Sequence, residues 1–257
     1  MNESLIVISP WGYAAVTGLG LISAAMVQVY AKSHGLKVVW AQIRMTLQLV
    51  LMGFVLVAIF DHPHPVVSLL AIAVMETFAV LTVVGQHRGS VSRRALLTAG
   101  AGLVVGSVIS CALFVTTVVG INPLVNPRYL LPLLGMIVGN SMTAINLAVR
   151  YMASQVKSQK TMVETVLHLG GTKNYAVAPI AKEAFLSALT PTITTMLSLG
   201  IVMLPGMMTG QILSGSVPLV AVGYQLSIMV GILFSVVLST WFTLQFGGRY
   251  FLDEIPD

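Results

Sequence analysis

Glu76 is the only carboxylate that lies deep inside a long apolar stretch of this sequence. A lone charge in the middle of a membrane costs roughly 2.5 kcal/mol or more, so such a residue needs a partner or a function. Arg44 lies at a comparable depth in the preceding apolar stretch, and Gln48 follows it on the same face of a helix. Two interpretations stay open: Glu76 binds a proton or cation, or it pairs with Arg44 and ties two helices together.

Hydroxyl and amide side chains in the later apolar stretches could line a path for a polar solute. Ser187, Thr190, Thr194 and Ser198 recur on one face of a helix that Pro191 is expected to kink. The alternative is that each hydroxyl bonds back to its own helix or to a neighbouring helix. The residues predicted to line the pathway are Arg44, Gln48, Glu76, Asn140, Thr194, Ser198, Met207, Met208, Gln211, Tyr224 and Gln225.

Two groups of side chains could bind a metal ion. His62 and His64, beside Asp61, have the ligand types of a transition-metal site, although a tight turn of this kind is more often simply solvated. Several methionines are soft ligands that suit Cu(I) better than iron, and methionine is also a common apolar filler. These methionines are Met196, Met203, Met207 and Met208. The sequence indicates no bound cofactor.

The composition excludes a soluble protein. Charged residues make up 8% of the chain and hydrophobic residues 56%, with a mean hydropathy of +0.93, whereas a soluble domain carries about 25% charged residues. The length of 257 residues allows about six to eight membrane spans with short loops. The net charge of +5 is spread between these spans and does not indicate a nucleic-acid partner. Cys111 is the single cysteine, so no intrachain disulfide is possible.

The hydropathy pattern predicts an all-α polytopic membrane protein, a single transmembrane domain over residues 1–257 with about seven spans. An outer loop at Asn122 and Pro123 is expected between the fourth and fifth spans. With the N-terminus outside and the C-terminus inside, nearly all of the 13 Lys and Arg residues fall in cytoplasmic segments, as the positive-inside rule requires. The predicted spans are residues 11–30, 38–60, 66–84, 95–119, 129–151, 184–204 and 217–244.

Two small-xxx-small motifs predict close helix contacts in the membrane. One joins Gly102 to Gly106 in the fourth span, and the other joins Gly135 to Gly139 in the fifth. Small residues let helix backbones approach where lipid supplies no hydrophobic drive. Packing within one subunit and a seam between two subunits are the two possible uses of these motifs.

One long polar segment, residues 154–183, interrupts the apolar chain and is predicted to be cytoplasmic. Within it, residues 161–169 carry apolar positions at helical spacing, which predicts a short amphipathic helix. Thr161 and Glu164 have the spacing of a capping box at the start of this helix. Gly170 and Gly171 are expected to end it.

This segment resembles the EAA loop of ABC-transporter permeases, which reads Glu-Ala-Ala, three residues, Gly, nine residues and Ile. Glu164, Gly170 and Ile180 hold that spacing, whereas Thr165 and Val166 replace the two alanines. The Leu-Pro that usually follows is replaced by Lys-Glu in this chain. In that family the loop is a coupling helix that docks on a separate ATPase subunit, as a helix in a groove. The alternative is an amphipathic helix that lies on the lipid headgroups.

The resemblance implies that Glu164, His168, Gly170 and Gly171 serve the coupling to an ATPase. The chain itself has no G-x-x-x-x-G-K-[ST] motif, so ATP is expected to be bound and hydrolysed by a partner subunit and not by this chain. No zinc-protease or serine-hydrolase motif indicates an enzyme inside the membrane.

Residues 204–225 read LPGMMTGQILSGSVPLVAVGYQ, and their Gly and Pro content predicts a re-entrant or interfacial turn in place of a regular helix. With GMIVGNSMTAINLAV at residues 135–149 and RMTLQLVLMG at residues 44–53, this stretch resembles the FetB family of ABC permeases. Bacterial members of that family are linked to iron export, and plant relatives to aluminium tolerance. The resemblance covers residues 129–225 most closely.

The resemblance implies a permease homodimer in a bacterial plasma membrane, driven by an ABC ATPase in trans, with iron or another metal cation as cargo. An ABC permease for a lipid or sugar conjugate is the first alternative. A gradient-driven secondary transporter with Glu76 as its proton site is the second.

Overall fold

The computed structural model describes residues 9–32, 34–62, 64–119 and 127–254, a range that contains helices and no strands. The predicted loop at Asn122 and Pro123 lies outside the described residues. The helices are α1 (Pro10–Tyr30), α2 (Gly35–Asp61), α3 (Pro65–His87), α4 (Arg93–Phe114), α5 (Pro127–Ser158), α6 (Lys160–His168), α7 (Lys173–Ser198), α8 (Gly206–Leu213) and α9 (Pro218–Gly247). A π-helical turn, Val115–Val119, extends α4, and a 3₁₀ segment, Gly248–Glu254, follows α9.

Six helical segments in this part of the chain are long and apolar enough to cross a membrane. They confirm the prediction of an all-α polytopic membrane protein. The segments are Pro10–Tyr30, Gly35–Asp61, Pro65–His87, Arg93–Thr117, Leu130–Ser158 and Pro218–Asp253. The orientation of the two termini stays a prediction.

The predicted sixth span, residues 184–204, runs past the end of its helix. α7 ends at Ser198 because Gly200 takes a φ of +84°, which L side chains rarely adopt, and closes a tight turn. The amide N–H groups of Val202 and Met203 both donate to the Ser198 carbonyl, at 3.0 and 3.1 Å. The apolar part of α7, residues 184–198, is therefore about 22 Å long at the usual helical rise. This is less than the roughly 30 Å of a hydrocarbon core. Pro191 lies inside α7, which continues through it.

The stretch after this turn contains a regular helix, which corrects the prediction that its Gly and Pro residues exclude one. Pro205 stands at the N-cap of α8, where its missing N–H costs no helical hydrogen bond. Gly215 ends the helix with a φ of +93°. The amide of Ser216 donates to the Gln211 carbonyl at 3.0 Å, and the amide of Gly215 to that of Ile212 at 3.0 Å, which together form a Schellman motif.

The chain forms two compact units, residues 1–62 and residues 63–257. In the first unit α1 packs on α2, and the Gln28 side chain bridges the turn between them. Its Nε2 donates to the Lys32 carbonyl at 2.7 Å, and its Oε1 accepts from the Gly35 amide at 3.0 Å. These two hydrogen bonds fix the turn that brings α2 back along α1.

The second unit is built on the pairing of α4 with α9, to which α5 and α7 add the remaining core helices. A Cβ at Gly102 would collide with Thr243, and one at Gly106 would collide with Ser239. The first small-xxx-small motif therefore packs within one chain, because only glycine lets these backbones approach so closely. A Cβ at Gly139 would meet no atom of another element within 4 Å among the described residues, and one at Gly135 would meet only the flexible Met75 side chain, at 3.3 Å. The second motif therefore shows no comparable close approach of two backbones.

Candidate functional site

Glu76 lies on α3 and is 6% exposed. Its Oε1 accepts a hydrogen bond from the Ser107 hydroxyl on α4 at 2.6 Å. The same hydroxyl lies 2.7 Å from the Leu103 carbonyl, and it has one proton for these two acceptors. Within the described part of the chain, Glu76 Oε2 is buried and has no hydrogen-bond partner. A proton or a cation held by the carboxylate would complete this arrangement.

Glu76 is one of a set of buried polar side chains, called here the polar seam, whose other members are hydroxyls of α4, α5 and α9. The Ser141 and Ser235 hydroxyls are hydrogen-bonded to each other at 2.7 Å across α5 and α9. Sequence reasoning missed this seam, although serine and threonine recur every fourth residue along α9, which was a usable signal. The members of the polar seam are Glu76, Ser107, Ser110, Ser141, Ser235, Ser239 and Thr240.

Several members of the seam are buried and lack a hydrogen-bond partner among the described residues, namely Ser110, Ser239 and Thr240. Buried polar atoms are normally satisfied, so these groups mark a place where a proton, water or ion fits. Arg44 and Gln48 belong to the first unit and Glu76 to the second. Pairing of Arg44 with Glu76 therefore stays a prediction.

The other predicted pathway side chains fall into several classes, the first of which bonds back to its own helix. The Asn140 amide donates to the Met136 carbonyl at 2.8 Å, and the Ser198 hydroxyl donates to the Thr194 carbonyl at 3.0 Å. Thr190 likewise bonds back to the Leu186 carbonyl at 2.9 Å. These groups satisfy their own helices, as the local alternative predicted.

The second class lies around a methionine-lined cavity of about 340 Å³ between the end of α7, α8 and α9. Met208 and Gln225, two of the residues predicted for the pathway, line it together with Met196 and Met229. Gln225 is 8% exposed, and its Oε1 is buried without a partner among the described residues. The remaining lining residues are Leu199, Gly200, Pro205, Val222, Leu226 and Val230.

Three other residues predicted for the pathway do not line the methionine-lined cavity, namely Met207, Gln211 and Tyr224. Met207 packs against a separate apolar cluster that includes Phe114 and Ile228 and so acts as core filler. Tyr224 is 37% exposed. Gln211 has a buried Oε1 without a partner in the described part of the chain, away from the lining.

The two histidines proposed as metal ligands stand at helix ends. His62 follows α2, and the His64 Nδ1 accepts from the Val66 amide at 3.2 Å, which caps α3. Over the described residues, no group of three or more His, Cys, Asp or Glu side chains is arranged to hold a metal ion. The site at His62 and His64 stays a prediction, with one ring nitrogen of His64 already in use.

The polar segment folds into the end of α5, the short helix α6 and the start of α7. The predicted capping box is wrong, because α6 begins one residue before Thr161 and has Gln159 at its N-cap, with no side-chain cap. Glu164 instead forms an ion pair with Lys160, with 3.3 Å between Nζ and Oε1. Both side chains are more than two-fifths exposed, so this pair adds little stability.

The end of α6 is a Schellman motif built on the two predicted glycines. Gly170 has a φ of +86°. Its amide donates to the Leu167 carbonyl at 3.0 Å, and the Gly171 amide to the Val166 carbonyl at 2.9 Å. A Cβ at Gly171 would lie 2.6 Å from the Val166 side chain, so the second glycine is required by space and the first by conformation.

One face of α6 is anchored and the rest of the segment is exposed. Val163 is fully buried in the main core cluster, where Val166 and Leu167 pack beside it. Leu169 is 83% exposed and Tyr175 is 71% exposed. The α6 surface, defined here as Met162, Glu164, His168, Leu169 and Tyr175, therefore presents apolar and charged groups on a rigid support.

The same end of the second unit is tied together by polar contacts. Lys173 at the start of α7 pairs with Asp253 in the terminal 3₁₀ segment, at 2.9 Å. The Ser92 hydroxyl donates to the Tyr250 carbonyl at 2.7 Å. These contacts fix the start of α7, which directly follows the α6 surface.

Residues 10–252 match the family described as "Uncharacterised protein family (UPF0014)". The chain is 37% identical over 226 residues to the "UPF0014 membrane protein slr1647" of Synechocystis, with 86% of each chain covered. It is 31% identical to the "Protein ALUMINUM SENSITIVE 3" of Arabidopsis thaliana, over 88% of this chain and 82% of that protein.

The chain is also 30% identical to the "Probable iron export permease protein FetB" of Escherichia coli, over 79% of this chain and 76% of that protein. No solved structure matches the chain. The resemblance read from the motifs is thereby confirmed. Six apolar spans and a family match that covers almost all of its length make this chain a multi-pass membrane protein that belongs to the Uncharacterised protein family (UPF0014).

Proposed function

We propose that the chain is the membrane-spanning permease subunit of an ABC transporter in the bacterial plasma membrane. It works as a homodimer, exports iron or another metal cation, and is driven by a separate ATPase subunit. The relative named as a probable iron export permease supports the transport role. Two relatives with membrane protein in their names, from Synechocystis and Bacillus subtilis, support the location.

The observation that carries the proposal is the α6 surface. An exposed Leu169 and Tyr175 on a polar segment are unfavourable in water, because apolar area prefers to be covered. Val163 locks α6 to the core helices, so a force on the α6 surface is transmitted to α5 and α7 without bending a loop. A helix held in this way suits docking into a groove of an ATPase.

The polar seam supports a cation as cargo. A carboxylate oxygen without a partner inside the bilayer is unfavourable unless it serves a proton or a cation. Glu76 and the unpartnered hydroxyls of α4 and α9 supply oxygen ligands, which hard cations prefer. We assign them to the translocation pathway.

The test is capture of the tagged permease from its native membranes, followed by measurement of ATP hydrolysis in the purified complex. Leu169→Glu should abolish both ATPase capture and ATPase stimulation, because it places a charge in the apolar contact. Leu213→Glu is the matched control, since Leu213 is 66% exposed at the end of α8, which follows the end of α7 opposite to the α6 surface. Absence of an ABC ATPase from the wild-type complex, or equal capture by both variants, would refute the proposal.

A further inference from the structure

We propose that the methionine-lined cavity binds a soft monovalent cation, Cu(I) or its analogue Ag(I), through the thioethers of Met196, Met208 and Met229 with the Gln225 carbonyl beside them. The inference rests on the proposed function, because it makes this cation a cargo of the same permease. The cavity lies at the opposite end of α7 from the α6 surface.

The first support is the convergence of three methionines from three helices. Met196 is in the last turn of α7, Met208 is in α8 and Met229 is in α9, and all three line one cavity of about 340 Å³. Methionine is a common filler, but filler is surrounded by apolar neighbours. Met207 behaves in that way, since it packs against Phe114 and Ile228 and does not line the cavity. Met196 and Met229 also contact the main core cluster, but with Met208 they line the cavity.

The second support is Gln225, which lines the same cavity and is more than nine-tenths buried. It precedes Met229 by one helical turn, so the two side chains share a face of α9. Its Oε1 has no hydrogen-bond partner among the described residues. A buried acceptor without a donor is rare in folded proteins, and a cation in the cavity would satisfy it.

The ligand set selects the kind of cation. Thioethers are soft ligands that favour Cu(I), whereas hard cations favour carboxylates. Among the described residues, those that line the cavity include no carboxylate, imidazole or thiolate. The described lining residues are also uncharged, so none of them neutralises the charge of the ion when it leaves water. The desolvation cost of an ion grows with the square of its charge, so an uncharged apolar site accepts a monovalent ion more readily than Fe²⁺ or Al³⁺.

The experiment measures Cu(I) binding to the purified permease, without ATPase, by competition with a bicinchoninate chelator under reducing conditions. Wild type should bind one Cu(I) per chain. Met196→Leu, Met208→Leu and Met229→Leu should each weaken binding by at least about tenfold. Leucine keeps the apolar volume, so these variants should still insert. Met207→Leu and Met203→Leu are the matched controls and should bind as wild type does.

X-ray absorption at the copper edge of the loaded wild type gives a second readout that needs no variant. Sulfur neighbours are expected, and a shell of nitrogen and oxygen alone would overturn the site. Cu(I) binding that persists in the triple leucine variant would also overturn the site. Uptake of only a detergent or lipid chain by the cavity would overturn it as well. Failure of ATPase capture, in contrast, would refute the proposed function and leave this binding result intact.

Discussion

At the scale of single residues, Glu76 and Ser107 decide what the membrane interior of this protein can do. The Ser107 hydroxyl satisfies Oε1 and nothing among the described residues satisfies Oε2. The carboxylate is thus held in place by one hydrogen bond while half of it stays available. A cation, a proton or the Arg44 guanidinium could each occupy Oε2, so the two interpretations of Glu76 make different predictions.

Glu76→Gln is expected to keep normal membrane abundance, because the amide oxygen still accepts from Ser107, and to impair cation export. Ser107→Ala should lower abundance, since it leaves the buried carboxylate without a donor, at a cost of about 1–3 kcal/mol or more. The measurements are cellular metal content and permease abundance in membranes.

If Arg44 pairs with Glu76, neutralising both residues should restore abundance that the single Arg44→Gln variant loses. Normal abundance and normal export in all variants would remove Glu76 from the pathway.

At the scale of elements, the contact between α4 and α9 depends on glycine at two positions. Gly106→Ala places a methyl group against Ser239, which forces the helices apart and should destabilise the fold by about 1–3 kcal/mol. Gly139→Ala is the control, because a Cβ there meets nothing within 4 Å in the described part of the chain. Thermal unfolding of both variants in detergent is the measurement. Equal stability would mean that the α4–α9 contact is looser than the structure shows.

A separate prediction concerns α6 and its proposed coupling to the ATPase. Gly170→Val forces a β-branched residue into a left-handed conformation, and Glu164→Lys reverses the charge of an exposed side chain. Both variants should insert at normal levels and fail to stimulate the ATPase, because they change the docking surface and not the membrane core. Gly170→Asn is the control, since asparagine tolerates this conformation. Wild-type ATPase rates in the first two variants would refute the coupling role of α6.

At the scale of the whole molecule, the distribution of charge predicts the orientation in the membrane. Reporter fusions after Ser90 and after Lys173 should both be cytoplasmic, and a fusion after His64 should be external. The apolar part of α7 is short, and a helix of that length crosses only if the bilayer thins or the chain beyond Ser198 takes part. A reversed signal at any of the three positions would overturn the orientation.

The amino-acid sequence by itself determined the class of the protein, most of the long apolar helices and the place where α6 ends. These features are local. Composition determines whether the chain lies in lipid or in water, and helical periodicity determines where a helix forms. A Gly-Gly pair favours a left-handed turn whatever surrounds it. The start of α6 and the helix α8 were predicted wrongly, because Thr161 and Gly210 are only weakly unfavourable inside a helix and do not by themselves prevent one.

Only the tertiary structure decided which side chains meet. Ser107 and Glu76 are far apart in the sequence, and so are Met196, Met208 and Met229. A hydropathy pattern tells which residues avoid water, but not which face of one helix packs on which face of another. Met207 and Met208 are adjacent and chemically identical, yet one fills the core and the other lines a cavity, because successive residues on a helix point about 100° apart.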